Sequence, residues 1–229
     1  MKLSERSPYE SGRDYAFRVI RENIILTELV PGSLVSEKEL ATELGLSRTP
    51  VREAIIDLSK MGIVEVLPQR GSRITHIDYK LVDEARFMRY ALESAVCKKL
   101  CAVADLELLK PLVDNVCLQE DALHKGDYQR FMELDDHFHK TLFELAEMPH
   151  AHSLLAGFTI HFDRVRSLSL SVVDNSKILE DHRALIFSLL GRDPVKTEAM
   201  VEKHLSRYKV DEAAIREQYG SYFKPEGKR

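Results

Sequence analysis

One carboxylate and three imidazoles stand in this chain at spacings that suit a metal ion. In "ELDDHFHKTLFELA", Asp135 and His139 are four residues apart and project from one helical face. In "EDHRALIFSLLGRD", His182 is followed by Leu185, Ile186 and Leu189, an apolar stripe that puts the imidazole on or beside an inner face. In "AMVEKHLSRY", His204 lies among Met200, Val201 and Leu205, again an inward position. Three helices therefore offer three nitrogen donors and one oxygen donor to one interior. Such a set suits Zn²⁺ or Ni²⁺ first and Mn²⁺ or Fe²⁺ next; calcium prefers oxygen ligands. His137 is the nearby competitor, but it points away from Asp135 round the helix. The ordinary reading stays open beside this one. An inward histidine is more often a hydrogen-bonded core residue, and an Asp with a His four along is common on helices.

A second group offers different chemistry. The stretch "SRTPVREAI", residues 47–55, reads as a helix start: Ser47 at the cap and Pro50 in the first turn, where its missing N–H matters little. Val51, Ala54, Ile55 and Leu58 fall on one face, and Arg48, Thr49 and Arg52 are left on the other. As the second helix of a helix-turn-helix, this segment enters a DNA major groove by its N-terminal end. Arginine grips guanine O6 and N7 with two parallel bonds, worth roughly 1–3 kcal/mol of discrimination each. Ser47, Thr49 and first-turn N–H groups can reach phosphates, as can Lys38 in the preceding helix. At the tip of "PQRG", Arg70 and Gly71 could enter a minor groove, glycine letting the backbone come close.

The elements that position these residues divide the chain in two. Apolar periodicity over residues 10–28 puts Ala16, Val19, Ile20, Asn23 and Ile24 on one helical face, and "VPGS" stops that helix. Ser36 with Glu39 forms a capping box for a helix that ends at Gly45. The third helix runs to about Lys60, and "MGIVEVLPQRGSRITHI" reads as strand, tight turn, strand. Beyond Tyr79 no strand signal stands out. Breaks near Asp105, 124–127, 147–150, Asp174–Asn175 and 191–194 divide the rest into about six helices. The fold expected is mostly α. It has a winged helix-turn-helix with a small β-hairpin wing over residues 1–75 and a linker at 76–80. An all-α helical-bundle domain follows over 81–222, then a frayed tail at 223–229.

Bulk properties agree with two modest domains. The chain has 229 residues, 44% hydrophobic and 31% charged, enough apolar matter for real cores. No apolar run approaches the ~18 residues of a membrane span, and "MKLSERSPYE" has no signal-peptide core, so a cytoplasmic protein with no membrane partner is expected. Cys97, Cys101 and Cys117 fit a reducing compartment as small buried thiols. Residues 1–75 hold 11 basic and 11 acidic side chains; the net charge of −4 lies in the rest. Nucleic-acid binding must then come from a local patch strengthened by dimerisation.

The segment "PGSLVSEKELATELGLSRTPVREAIIDLSKMGIVEVLPQRGSRI" resembles the winged-helix domain of GntR-family transcription regulators, above all in "SRTPVREA". The resemblance implies DNA contacts at Lys38, Ser47, Arg48, Thr49, Arg52, Arg70 and Gly71, and a homodimer on a short inverted repeat. The second part resembles the metal-binding all-helical (FCD) effector domain of the FadR-type subfamily, in its shorter six-helix, VanR-like form. Metal-binding members carry D-x-x-F-H followed by two further histidines. That pattern falls here on Asp135, Phe138, His139, His182 and His204. One departure is Met148, where many relatives have Asn. The resemblance also places Arg89 near an effector, where it could clamp a carboxylate with two bonds. Arg89 and Glu93 are equally readable as an intrahelical pair worth a few tenths of a kcal/mol. Arg164 and Arg166 could serve the same task as Arg89.

The function expected is that of a transcription regulator. A homodimer binds an operator in double-stranded DNA and answers to a small organic or sugar acid held at the metal, with repression relieved by the ligand as the default sign. A regulator that senses the ion itself is the first alternative. A metal-dependent hydrolase is the second, opposed by the lack of a positioned general base or an H-E-x-x-H motif.

Overall fold

In the computed structural model, residues 1–155 and 157–225 are described. The chain forms α1 (Gly12–Ile25), β1 (Leu34–Val35), α2 (Glu37–Leu44), α3 (Arg48–Lys60), β2 (Val64–Leu67) and β3 (Gly71–Ile74). Eight α-helices follow among the described residues: α4 (Tyr79–Cys101), α5 (Lys110–His124), α6 (Tyr128–Leu145), α7 (Pro149–Leu155), α8 (Ile160–Ser169), α9 (Ser176–Leu190), α10 (Pro194–Leu205) and α11 (Arg207–Tyr219). Two breaks beyond the expected six helices account for the difference. One separates α7 from α8; the other falls at Ser206, whose N–H turns back onto the carbonyls of Glu202, Lys203 and His204.

The chain folds as two compact units. The first holds Met1–Val82, Ile160–Leu168 and the described residues from Ile215 on; the second holds Asp83–Thr159 and Ser169–Ala214. In the first unit, α1 and α3 supply the core: Ala16, Val19, Ile20, Ile24, Val51, Ala54, Ile55 and Leu58, each wholly buried or nearly so. Ser36 caps α2 by accepting from the Lys38 N–H, and Gly45 ends it in the left-handed conformation at φ 65°. The wing is a three-stranded antiparallel sheet in the order β1-β3-β2, one strand more than the expected hairpin. Leu34 pairs with Arg73 and Val35 with Ser72. At Gly71 φ is +89°, and a Cβ there would stand 2.8 Å from the Val35 carbonyl oxygen. Glycine is therefore required by this internal approach, whatever the wing tip meets outside.

The stretch expected to be a linker is tied down. Ile77 is fully buried and bridges in parallel to Phe223. Its N–H donates to the Tyr222 carbonyl, and its carbonyl accepts from Lys224. Tyr79 stacks on Phe223 with centroids 5.1 Å apart. Phe223 is 4% exposed, so the chain at 223–225 is docked where a frayed tail was expected; the tail at 226–229 lies outside the described residues. Two segments expected in the helical domain thus join the first unit, 160–168 and 215–222. Backbone pairing at Ile77 and burial of Arg164 hold them there. In the second unit the core includes Cys97, Leu100, Phe131, Phe138, Leu142, Phe143, Leu185 and Leu189. Cys97 and Cys101 are buried thiols as expected; Cys117 is exposed.

Candidate metal centre and nucleic-acid interface

α6 begins at Asp127, whose carboxylate caps the Arg130 N–H, and its buried face carries Phe131, Leu134, Asp135, Phe138, His139 and Leu142. Asp135 and His139 therefore rise from an apolar stripe into the second unit, as their spacing required. α9 brings His182, and α10, capped by Asp193 through two N–H groups, brings His204. One ligand atom from each of Asp135, His139, His182 and His204 lies within 4.8 Å of all the others. The Nε2 atoms of His139 and His204 are 3.0 Å apart. His182 Nε2 is 3.4 Å from one Asp135 oxygen, and His139 Nε2 is 3.9 Å from the other. Ligand atoms about 2.0–2.2 Å from a shared ion stand at such separations. The Phe138 ring stacks on His182 with centroids 4.0 Å apart and fixes its plane.

Each imidazole has a neighbour at its outer nitrogen. His139 Nδ1 lies 2.9 Å from Glu93 Oε2, and Glu93 Oε1 is 2.5 Å from Arg89 Nε. His182 Nδ1 lies 2.9 Å from Gln119 Oε1. His204 Nδ1 is 3.9 Å from Asp181, a buried carboxylate that Arg207 and Lys203 also engage. An Nδ1–H donated to a carboxylate leaves the Nε2 lone pair of His139 facing the Nε2 of His204. Burial and the nearby His182, His139 and Arg89 hold His204 well below the usual histidine range, in the neutral form that binds metals. Two buried nitrogens this close, with a carboxylate beside them, make a donor set that fits a divalent cation.

The expected effector residues separate. Arg89 and Glu93 join the centre, 4% and 1% exposed. Their pairing is intrahelical, as the ordinary reading had it. It is also buried, and Glu93 orients a candidate ligand. Arg164 and Arg166 belong to the first unit. Arg164 is wholly buried, donates to the Thr75 carbonyl at 2.7 Å, and burial pushes its pKa down to about 10. Arg166 pairs with Asp163. Met148 is exposed at the turn after α6. Sequence reasoning missed Gln119, Asn115 and Asp181. Each is buried, yet a short polar residue on an amphipathic helix carries no local mark of the histidine it will meet. It also missed His152 on α7, whose pKa burial lowers and which feels both Glu93 and Arg89.

The candidate nucleic-acid interface lies in the first unit. Residues 1–82 contain eight arginines. Five are engaged: Arg6 with the Glu10 carbonyl, Arg13 with Asp57, Arg18 with Glu10 and Glu22, Arg21 with Asp163, and Arg73 with Glu65. The remaining three are Arg48, Arg52 and Arg70. Their side chains are exposed and, among the described residues, have no hydrogen-bond or ion-pair partner. Ser47 occupies the N-cap of α3 but makes no capping hydrogen bond, contrary to expectation, so its exposed hydroxyl is left for another acceptor or donor. Lys38 and Thr49 are exposed as well. The face that sequence reasoning assigned to DNA thus carries three exposed arginines that no carboxylate among the described residues neutralises.

Residues 14–74 match the bacterial regulatory proteins of the gntR family, and residues 84–207 match the FCD domain. The chain is 29% identical over 224 residues to the HTH-type transcriptional repressor RspR of Escherichia coli K12, covering 97% of this chain and 98% of that one. It is 30% identical over 211 residues to the HTH-type transcriptional regulator YdfH of Escherichia coli O6:H1, covering 92% of each. Its fold resembles that of E. coli McbR/YncC, with a TM-score of 0.75 at 19% identity over 92% of this chain and 99% of the other. No helix among the described residues is long and apolar enough to cross a membrane. On these likenesses this chain belongs to the GntR family and is a DNA-binding transcriptional regulator, not an enzyme.

Proposed function

We propose that the protein acts as a homodimeric repressor on an inverted-repeat operator, released by a small carboxylate that binds beside a divalent metal in the helical unit. The observation that carries the first half is the set of three unpaired arginines. Arg48 and Arg52 lie four apart at the start of α3, spaced to address neighbouring bases in a major groove. Arg70 at the wing tip suits the narrower groove alongside. Ser47, Thr49 and Lys38 add phosphate contacts, which set register and strength but carry no sequence information. A dimer supplies two such helices, and two half-sites related by its two-fold follow from that symmetry.

The second half rests on the chemistry of the donor set. Asp135, His139, His182 and His204 would hold the ion, with zinc or nickel preferred by three imidazoles. A bound ion would supply open coordination positions that accept a carboxylate oxygen. Glu93 and Gln119 orient the imidazoles, Phe138 fixes the plane of one of them, and Arg89 balances the charge of Glu93. A ligand changes operator affinity only if it binds the two arrangements of the dimer unequally.

The test is metal analysis of untagged protein, followed by operator-binding titrations with and without organic and sugar acids. One ion per chain, with operator affinity lowered only when an acid meets metal-loaded protein, is expected. An operator affinity that follows metal concentration alone makes the ion itself the signal. Protein that takes up no metal under any loading condition ends the metal half and leaves the DNA half standing.

A further inference from the structure

A chain of hydrogen bonds leads from one backbone carbonyl to one metal-ligand candidate. Asn115 Nδ2 donates to the Leu134 carbonyl at 3.1 Å. Gln119 Nε2 donates to Asn115 Oδ1 at 2.6 Å. Gln119 Oε1 lies 2.9 Å from His182 Nδ1. All four residues are buried: Leu134 is 5% exposed, Asn115 4%, and Gln119 and His182 not at all.

The direction of this chain is not free. A carbonyl oxygen can only accept, so Asn115 must turn its amide nitrogen toward Leu134. Asn115 Nδ2 is also 3.2 Å from His137 Nδ1, so its second N–H has an acceptor too. Its oxygen then faces Gln119, which must answer with its own nitrogen. The oxygen of Gln119 is left for His182, so His182 Nδ1 has to carry the proton. The Nε2 lone pair is what remains, and it faces Asp135. Leu134 is the residue before Asp135, so α6 supplies one ligand and, one residue earlier, the carbonyl that sets the protonation of another.

We propose that Gln119, aligned by Asn115, is the positioning residue that fixes the tautomer of His182, and that its neutrality sets the charge of the metal centre. The proposal rests on the metal reading above. The neighbours of the other two imidazoles are carboxylates, each offset by cations: Glu93 by Arg89, and Asp181 by Arg207 and Lys203. Gln119 is uncharged. A divalent ion with Asp135 as its one unbalanced carboxylate keeps a formal charge of about +1 in a buried site, which favours an anionic ligand over a neutral one. A carboxylate at position 119 would cancel that charge.

Two full-length variants test this, Gln119→Met and Gln119→Glu, each checked for folding by circular dichroism and thermal melting. In metal-stripped protein, imidazole ¹⁵N shifts should report the Nδ1–H form of His182 in the native chain and in Gln119→Glu, whose carboxylate oxygen can only accept at Nδ1. Gln119→Met should lose that preference and bind Zn²⁺ about 10–100-fold more weakly in chelator competition. Gln119→Glu should hold Zn²⁺ at least as tightly as the native chain, yet lose about tenfold or more in apparent affinity for acetate, read by thermal shift on zinc-loaded protein. An unchanged tautomer in Gln119→Met, or zinc affinity within twofold of native, overturns the positioning role. Native-like acetate binding by Gln119→Glu overturns the charge role. If the native chain takes up no zinc, the metal reading and the charge role fall together, while the tautomer measurement still decides the positioning role separately.

Discussion

In α3, Arg48 and Arg52 stand exposed with no partner among the described residues, whereas in the helical unit Asp135, His139 and His182 are at most 3% exposed. The outer nitrogens of His139 and His182 are each met by a second side chain. Under the proposed function, the difference follows from what each site would hold. A DNA duplex brings its own dense negative charge and displaces counterions, so the protein does best by keeping its cations solvated and unpaired until the duplex arrives. An ion some 2 Å from its ligands tolerates no such freedom, and its donors must be aimed in advance by packing and by a second layer of hydrogen bonds. The two regions should therefore respond oppositely to mutation: recognition residues change binding and leave the fold alone, while centre residues change metal, stability and geometry together.

The largest effect expected is at the recognition helix. Replacing Arg48 and Arg52 together by alanine removes two contacts worth about 1–3 kcal/mol each per half-site, enough to drop operator affinity to the non-specific level. Metal content and melting temperature should stay native. A double variant that still footprints the operator would break the comparison at its first term. The next effect is His182→Ala, which deletes a proposed ligand. Metal affinity should fall at least about 100-fold, with a loss of about 2.7 kcal/mol of linked stability at a fixed excess of metal. Metal content that stays native would mean the ligand set is misassigned.

What could be read from the chain before folding follows the same divide. Ser36, Gly45, Pro50 and the apolar positions of α1 and α3 act on their own neighbours, so caps and periodicity were enough to place the recognition helix. Asp135 and His139 were legible because one helix turn separates them. Their supports were not, since Glu93 is 46 residues from His139 and Gln119 is 63 from His182. Strand β1 is only two residues long, with no alternation to detect, and exists because β3 offers it a free edge. The docking of Phe223 against Ile77 joins residues separated by about two-thirds of the chain. Arg164 and Arg166 were grouped with the effector because their sequence neighbourhood is helical; the segment 160–168 that carries them belongs to the other unit, where Arg164 donates to the Thr75 carbonyl.

An effect of similar size separates the units by pH. His161 is 6% exposed, and burial beside the Arg164 guanidinium lowers its pKa to about 4, against a hydrogen bond to the Met61 backbone and the charge of Asp78. Between pH 6.5 and 4 the unfolded chain binds a proton that the folded one refuses. Stability therefore falls as pH drops through that window, by up to about 3 kcal/mol, and levels off below it. Acid also releases a histidine-bound metal, so the comparison belongs in metal-free protein. Urea midpoints of native and His161→Gln protein at pH 7 and 4.5 should show a shallower acid loss in the variant. Equal losses would mean that His161 is not held neutral.

The smallest effect is the most discriminating for the recognition face. Ser47 and Asp193 both sit at helix N-caps, but only Asp193 uses its side chain there, accepting from the N–H groups of Val195 and Lys196. Asp193→Ala should lower stability by about 1 kcal/mol, the usual loss for a cap. Ser47→Ala should change stability by no more than about 0.5 kcal/mol. It should still weaken operator and non-operator DNA by a similar factor, because a lost phosphate contact carries no sequence preference. The pair of measurements separates a serine kept for the helix from one kept for the duplex. If Ser47→Ala destabilises the fold as much as Asp193→Ala while leaving DNA binding untouched, the hydroxyl belongs to the helix, and the recognition face then rests on its arginines and Lys38.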